Sequence, residues 1–463
     1  MTTTPVRPTE AKMSGRARAV LVVLLVAQFM LAVDFSILNV ALPVIGDGLG
    51  FTLGGLQWIA TGFALAAAGF TLLAGRVADL FGRRRLFLGG MAVLGLASLA
   101  GGLAQTPEIL LAARVIQGLA TAVVTPAGLS LLTTSFPEGP LRSKALGLNG
   151  ALMSAGFTAG AVLGGLLTDL LSWRWAFFIN VPVALAVLLV APTLIAESRA
   201  PQRKLDVPGA VTVTGGLLAV VYGLTVAGEH GFAAPLALAA FAVGAVLLVS
   251  FWFVERRSAA PLVPVRILKR RTVVWGNLAG LIAFATETSL VFLMTLYLQQ
   301  VLGYSAFATG LAFGVLGAGT VVGGVIGARV IARIGTRAAL VSGLAVQAVA
   351  TASLVLLGAD RSWLTLLLAA TALGGVGNMV AIVAFMVTAT SGLPDGEQGL
   401  ATGLATMTQQ VGITMGIPVM SAIVAARVGA GESVLDGVGT AVLVNAGLVL
   451  AAAVVAGPML RRK

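Results

Sequence analysis

The sequence predicts an all-α membrane protein of 14 transmembrane helices: two six-helix bundles with two linker helices between them. Three observations predict this. First, 58% of the 463 residues are hydrophobic and 10% charged, where soluble domains carry about 25% charged residues; the mean hydropathy is +1.02. Second, apolar runs long enough to cross a bilayer, which takes about 20 residues at ~1.5 Å rise, recur along the whole chain between short polar loops. Third, the chain repeats itself. The stretch Gly75 to Arg85 (GRVADLFGRRR) is matched by Ala328 to Arg337 at Arg76/Arg329, Val77/Val330, Gly82/Gly335 and Arg84/Arg337. A second echo aligns Gly147-Leu148, Gly156 and Gly160 with Gly403-Leu404, Gly412 and Gly416. Two echoes at nearly one offset indicate an internal duplication.

In chain order, residues 1–17 form a polar, basic tail expected to be disordered. The apolar runs then place helices at about 18–40, 54–74, 86–105, 109–132, 144–169, 176–196, 208–228, 235–254, 274–298, 306–331, 337–358, 363–389, 398–424 and 439–460. Helices 1–6 (residues 18–198) and 9–14 (residues 272–463, with a short basic tail) are the repeated halves. Residues 199–271 hold helices 7 and 8, which have no counterpart in the duplication. Pro201, Pro208, Pro261 and Pro264 punctuate this linker, and its six bases between Arg256 and Arg271 suit anionic lipid.

The net charge of +12 is a matter of topology. Of the 29 Lys and Arg, 25 fall in tails or loops assigned to one side by helix parity; that side is the cytoplasm, which excludes nucleic acid as the partner. Both termini are cytoplasmic, and the protein is expected in the plasma membrane as a monomer in contact with lipid. One loop breaks the rule: Ser391 to Gln398 carries Asp395 and Glu397 and no base. The first helix, preceded by Arg16 and Arg18 and lacking a small-residue cleavage site, serves as the targeting signal. There is no cysteine, hence no disulfide framework or thiolate metal site. The single histidine, His230, reads as a solvated loop residue. Neither a phosphate-binding Gly-x-x-x-x-Gly-Lys-Ser/Thr loop nor a His, Cys or paired-carboxylate constellation is present, so no cofactor and no enzyme activity is expected.

The Gly75–Arg85 stretch reads as a tight loop at the membrane surface, its arginines held on the cytoplasmic side and Asp79 placed to cap or pair near the next helix. It resembles the helix 2–3 motif of the major facilitator superfamily. Asp34 to Pro43 (DFSILNVALP) resembles the helix 1 motif of that superfamily's fourteen-helix drug:proton antiporter branch. Arg114 to Gly118 (RVIQG) resembles its helix 4 motif, Gly156 to Gly165 its helix 5 antiporter motif, and Trp173 to Pro182 its turn into helix 6. The resemblance covers essentially the whole chain. It implies the major facilitator fold, the linker pair, a conformational gate at Gly75, Asp79, Gly82, Arg83 and Arg84, and an antiporter motif at Gly156, Gly160, Gly164 and Gly165. Leu80, Ala161 and Ser36 stand where those motifs usually have a base, a proline and a threonine.

Ionisable side chains inside a bilayer are costly, about 2.5–3.5 kcal/mol each on insertion scales, and three stand inside predicted helices: Asp34, Arg114 and Glu287. A carboxylate out of water can take up and release a proton as its surroundings change, and a nearby cation makes its occupancy switchable. Asp34 and Arg114, on helices that the resemblance implies face each other, are therefore assigned to proton coupling, with a static packing pair as the competing role. Glu287 has three readings: a second proton site, an anion that attracts a cationic substrate, or a neutral acid hydrogen-bonded to Thr286, Thr288 or Ser289. The cavity should be apolar and aromatic with few polar groups; Trp58, Asn149, Met153, Phe284, Phe292 and Gln409 are its candidates, with Gln57, Asn378, Phe385 and Gln410 behind them. Together with the resemblance these residues imply a proton-coupled antiporter that exports hydrophobic or cationic drug-like compounds by alternating access, its partners a small amphipathic substrate and protons. The alternative, a proton-coupled symporter importing a small nutrient, needs more hydrogen-bonding groups in the cavity.

Overall fold

The computed structural model describes residues 13–51, 53–136, 140–199, 206–258, 261, 265–391 and 395–460. Arg7 and Lys12 of the first tail, Arg461 to Lys463 of the second, Pro201, Arg203, Lys204 and Pro264, and the side chains of Lys144, Asp395 and Glu397, lie outside the described residues.

Fourteen long helices follow the predicted order. They are α1 Gly15–Leu49, α2 Leu53–Phe81, α3 Arg83–Gly102, α4 Pro107–Ser135, α5 Pro140–Leu170, α6 Trp175–Leu194, α7 Val207–His230, α8 Pro235–Arg257, α9 Arg271–Leu296, α10 Ala306–Ile334, α11 Thr336–Ser353, α12 Leu364–Thr390, α13 Asp395–Gly429 and α14 Val434–Met459. Among the described residues 12 are long and apolar enough to cross a membrane outright; α2 joins them as a bent span, and α5 contributes the apolar stretch Ala155–Leu170. The starts follow local chemistry. Ser14 accepts from the Ala17 amide to open α1 inside the expected tail, Asp206 caps α7 through Gly209, and Ser433 with Asp436 forms a capping box on α14. Pro107, Pro208 and Pro235 stand in first turns, where no N–H is needed.

Gly75–Arg85 is not a loop. α2 runs to Phe81 and α3 starts at Arg83, so Gly82 alone makes the turn, at φ +116°. The second copy turns the same way at Gly335, φ +82°, between α10 and α11. Near lipid a backbone keeps its hydrogen bonds by staying helical, so the chain leaves the helix for one residue, at the residue type that tolerates positive φ.

Packing repeats with the sequence. α1 lies on α5, α2 and α3 on α4, and α3 and α1 on α6; α9 lies on α13, α10 and α11 on α12, and α11 and α9 on α14. The halves meet where α5 crosses α10 and α2 crosses α13, while α7 pairs with α8 and rests on α2 and α13. At the end away from Gly82 and Gly335 one hydrophobic cluster spans both halves, taking Ile37 and Ile45 from α1, Ala161 from α5, Leu293 from α9 and Phe313 from α10. Two hydrogen bonds cross between halves there: Gln299 Nε2 to the Val40 carbonyl (2.8 Å) and the Phe307 amide to Asp169 Oδ2 (2.9 Å). At the Gly82/Gly335 end the halves keep separate cores, Leu24, Phe87 and Leu131 in one and Leu340, Leu344 and Val449 in the other, with a small cluster of Leu73, Ala210 and Leu404 along the α2–α13 side. Large apolar side chains such as Leu96, Leu189, Val246 and Val325 are exposed around the outside, a surface suited to lipid and costly in water.

Candidate functional site

α1 is apolar nearly all round, so a carboxylate within it must find its partners inside the protein. Asp34 is fully buried and receives three donors. Arg114 Nη1 donates to Oδ2 at 3.2 Å, Gln117 Nε2 donates to Oδ1 at 3.2 Å, and Asn180 Nδ2 also donates to Oδ1. Arg114, itself 1% exposed, donates Nε to the Ile59 carbonyl (3.0 Å) and Nη1 to Gln117 Oε1 (2.9 Å), and its guanidinium lies 4.1 Å from the centre of the Phe63 ring. Gln117 Nε2 also reaches Ser98 Oγ at 2.8 Å. One buried ion pair thus ties α1 to α4, with α2, α3 and α6 each supplying a contact. Sealed in this way the pair is worth little as net stability, but losing either partner would strand a charge.

The second half carries a neutral counterpart on the copies of the same helices. Asn445 (α14) donates to the Thr286 carbonyl and to Ser289 Oγ, both at 2.9 Å. Gln347 (α11) donates to Thr286 Oγ1 at 3.2 Å, and Asn378 (α12) donates to Gln347 Oε1 and the Ala283 carbonyl, both at 3.1 Å. The helix contacts fix the register between the copies. A Cβ on Gly156 would meet the Phe29 carbonyl at 2.8 Å, and one on Gly412 the Leu281 carbonyl at 2.6 Å. Ser36 Oγ donates to the Phe157 carbonyl (2.6 Å) as Thr288 Oγ1 does to the Ile413 carbonyl (3.5 Å). Phe29 therefore corresponds to Leu281 and Ser36 to Thr288, which makes Thr286 the counterpart of Asp34 and Glu287 the counterpart of Phe35.

Glu287 is half-buried and has no hydrogen bond or ion pair to a described residue; the structure does not bring it to Asp34 and Arg114. The neutral-acid reading had it bonded to its neighbours. Those neighbours turn elsewhere: Thr286 to the Ile282 carbonyl (2.7 Å), Thr288 to Phe284 (2.9 Å) and Ser289 to Ala285 (2.7 Å).

The cavity candidates divide. Asn149, Met153, Phe284 and Gln409 are half-buried, and Phe284 meets Phe385 edge-on at 6.3 Å. Phe292 is 2% exposed and belongs to the cluster that seals the far end. Trp58 packs on Tyr222 of α7, at the seam with the linker pair. Gln57, Asn378 and Phe385 are buried, and Gln410 is half-buried.

At the Gly82 hinge Asp79 pairs with Arg83 one turn on, at 2.8 Å, and a Cβ on Gly75 would press on Pro126 at 3.2 Å. Arg84 Nη1 donates to the Ile195 carbonyl (3.0 Å). Nothing in the sequence pointed to Glu197, which follows α6 and accepts from free amides of the first turn of α3, Arg84 (3.0 Å) and Arg85 (3.2 Å). Three arginines at a helix N-terminus oppose its dipole, and this carboxylate offsets them. In the antiporter motif Gly156, Gly160 and Gly164 lie against the α1 backbone, whereas Gly165 lies against α10 of the other half, where a Cβ would meet Phe307 Cα at 2.9 Å. Gln117 and Asn180 fell within the motifs already quoted; as amides inside apolar runs they were the available signal for partners of Asp34. Phe35, Phe63 and Ser98 carried none.

A bundle of two like halves, sealed together at one end and holding a buried ion pair within one half, has the build of a membrane transporter. The comparisons specify which. The family model of the Major Facilitator Superfamily matches residues 24–417, and the chain belongs to that family. It is 37% identical over 415 residues to the cephamycin export protein CmcT of Amycolatopsis lactamdurans, covering 88% of this chain and 85% of that one. It is 38% identical over 407 residues to the puromycin resistance protein pur8 of Streptomyces alboniger, covering 87% and 81%. Among solved structures an auto inhibited POT family peptide transporter superposes with a TM-score of 0.72 over 96% of this chain and 97% of that one, at 15% identity, a likeness of fold alone.

Proposed function

We propose that this protein is a proton-driven exporter of hydrophobic or cationic drug-like compounds, antibiotics and secondary metabolites among them. The relatives' names support export: proteins similar over most of their length export cephamycin or confer resistance to puromycin, lincomycin and tetracenomycin. With the basic Arg83–Arg85 end taken as cytoplasmic, the fused end is the outer one, and the conformation faces inward, ready to load substrate from the cell. Residues 18–198 and 272–463 are the two moving halves and 199–271 the linker.

The observation that carries the coupling is the Asp34–Arg114 pair, sealed from solvent within one half. Protonating Asp34 cancels one charge and frees Arg114 to its other acceptors, Ile59 and Gln117. That changes how α1 is held against α4, and α1 is also the helix whose outer stretch seals the far end against α9. A ligand or proton shifts such an equilibrium only by its differential affinity for the two states, and a buried charge supplies a large difference. The test is substrate uptake into everted vesicles driven by an imposed pH gradient. Asp34→Asn, which keeps the size and one acceptor oxygen, is expected to stay folded in the membrane and to abolish gradient-driven transport. Normal exchange by that variant would make the pair structural.

A further inference from the structure

The register between the repeats carries one step more. From the repeated hinge motif alone Glu287 aligns with Asp34, which reads it as a second proton site. The packing of α9 on α13 shifts that correspondence by one residue, so that Glu287 matches Phe35. Each of the two is the half-buried position between fully buried neighbours: Asp34 and Ser36 on α1, Thr286 and Thr288 on α9. On α9, Thr286 faces α11 and Ala285 and Thr288 face α13. The helical period leaves Glu287 off both, on the side whose inner turns, Gly276 and Gly280, meet Thr388 and Phe385 of α12. One and two turns further along that face, Val291 and Met294 join the cluster shared with Met30, Val33 and Ile37 of α1. Between α12 on the inner side and this shared cluster on the outer, Glu287 stands at the gap between the halves, with its own network neutral and no cation among the described residues to answer it. Phe35 opens the same gap from the other side, its ring against Phe63 (5.9 Å) and Phe157 (5.7 Å).

Resting on the exporter reading, we propose that Phe35 and Glu287 form opposite walls of one substrate subsite, for an organic cation with an apolar or aromatic body. The carboxylate answers the positive charge, and Phe35 takes the ring system. A lone anion in a low-dielectric, partly dry cleft binds a cation far more strongly than a neutral ligand, to which it offers only a hydrogen bond that an amide can replace. Phe35 also places the substrate next to the coupling pair, because Phe63, which it touches, carries the Arg114 guanidinium on its face. The halves have in this way divided the work: the first keeps its carboxylate sealed for the proton, and the second presents its carboxylate to the cargo.

The test is equilibrium binding of two fluorescent probes to the purified full chain, ethidium as permanent cation and Nile red as neutral dye. Glu287→Gln is expected to weaken ethidium at least about tenfold, as loss of a desolvated charge partner does, and to leave Nile red within about threefold. Phe35→Leu, chosen because Phe35→Ala risks the packing on Phe157, is expected to weaken both dyes. No saturable ethidium binding by the unaltered protein, unchanged ethidium affinity in Glu287→Gln, or equal weakening of both dyes in it overturns the proposal. Uptake of the same dyes by everted vesicles under a pH gradient separates the two readings. Binding as expected without any gradient-driven uptake sinks the exporter and leaves the subsite standing; Nile red transport with ethidium binding indifferent to Glu287 does the reverse.

Discussion

Replacing Arg114 with methionine keeps most of the side chain's volume and removes its charge. Asp34 then keeps Gln117 and Asn180 as donors but faces no cation, at a point with no access to water. Removing one partner of a buried pair costs about 3–5 kcal/mol, because the remaining charge is left uncompensated. The lost stacking on Phe63 adds to it, about 2 kcal/mol for a desolvated cation over a ring. Asp34→Asn alone strands the guanidinium less severely, since Ile59 and Gln117 still accept from it. The double variant Asp34→Asn/Arg114→Met leaves no buried charge at this site and is expected to be more stable than Arg114→Met alone. The coupling between the two sites should be about 2–3 kcal/mol, at the upper end for residues in direct contact. Unfolding in mixed micelles, followed by the fluorescence of the 6 tryptophans, measures all four proteins in one cycle. Strict additivity, with the double variant as unstable as the sum of the singles, would refute the claim that these charges are held by each other.

Two further outcomes test the frame around the site. Gly82→Ala is expected to cost about 1–3 kcal/mol for a side chain forced to positive φ, and more because its Cβ would meet the Glu197 carboxylate carbon at 2.8 Å; Gly89→Ala, whose Cβ meets nothing within 4 Å, is the control, and the melting temperatures of the two variants decide. For the topology, Arg85→Cys and His230→Cys place single thiols at two exposed sites in a chain that has none. An impermeant reagent added to intact cells is expected to label residue 230 and spare residue 85; the opposite result overturns the assigned orientation.

The all-helical membrane class, the order of the apolar helices and the echo between the halves were legible in the sequence because they depend on local quantities. Twenty apolar residues make a span wherever they occur, and a glycine between basic residues marks a turn. The need of Asp34 for partners could be read in the same way, since a charge in an apolar run cannot be satisfied by its own helix. Which groups answer it depended on the tertiary structure: Arg114 and Gln117 lie on α4 and Asn180 on α6, and sequence distance says nothing about which faces meet. The hinge looked like a loop because charge and glycine resemble loop chemistry, yet backbone hydrogen bonding keeps both helices intact to either side of Gly82. Glu197 was invisible for the related reason that a cap on α3 came from the end of α6. The register of the repeats shows the limit most clearly. An insertion of a few residues between the echoes leaves the alignment of α1 with α9 uncertain by one position, and on a helix one position is a rotation of about 100°. That rotation separates a carboxylate sealed among its partners from one that faces the gap between the halves, and the packing of α9 against α13, not its sequence, decided it.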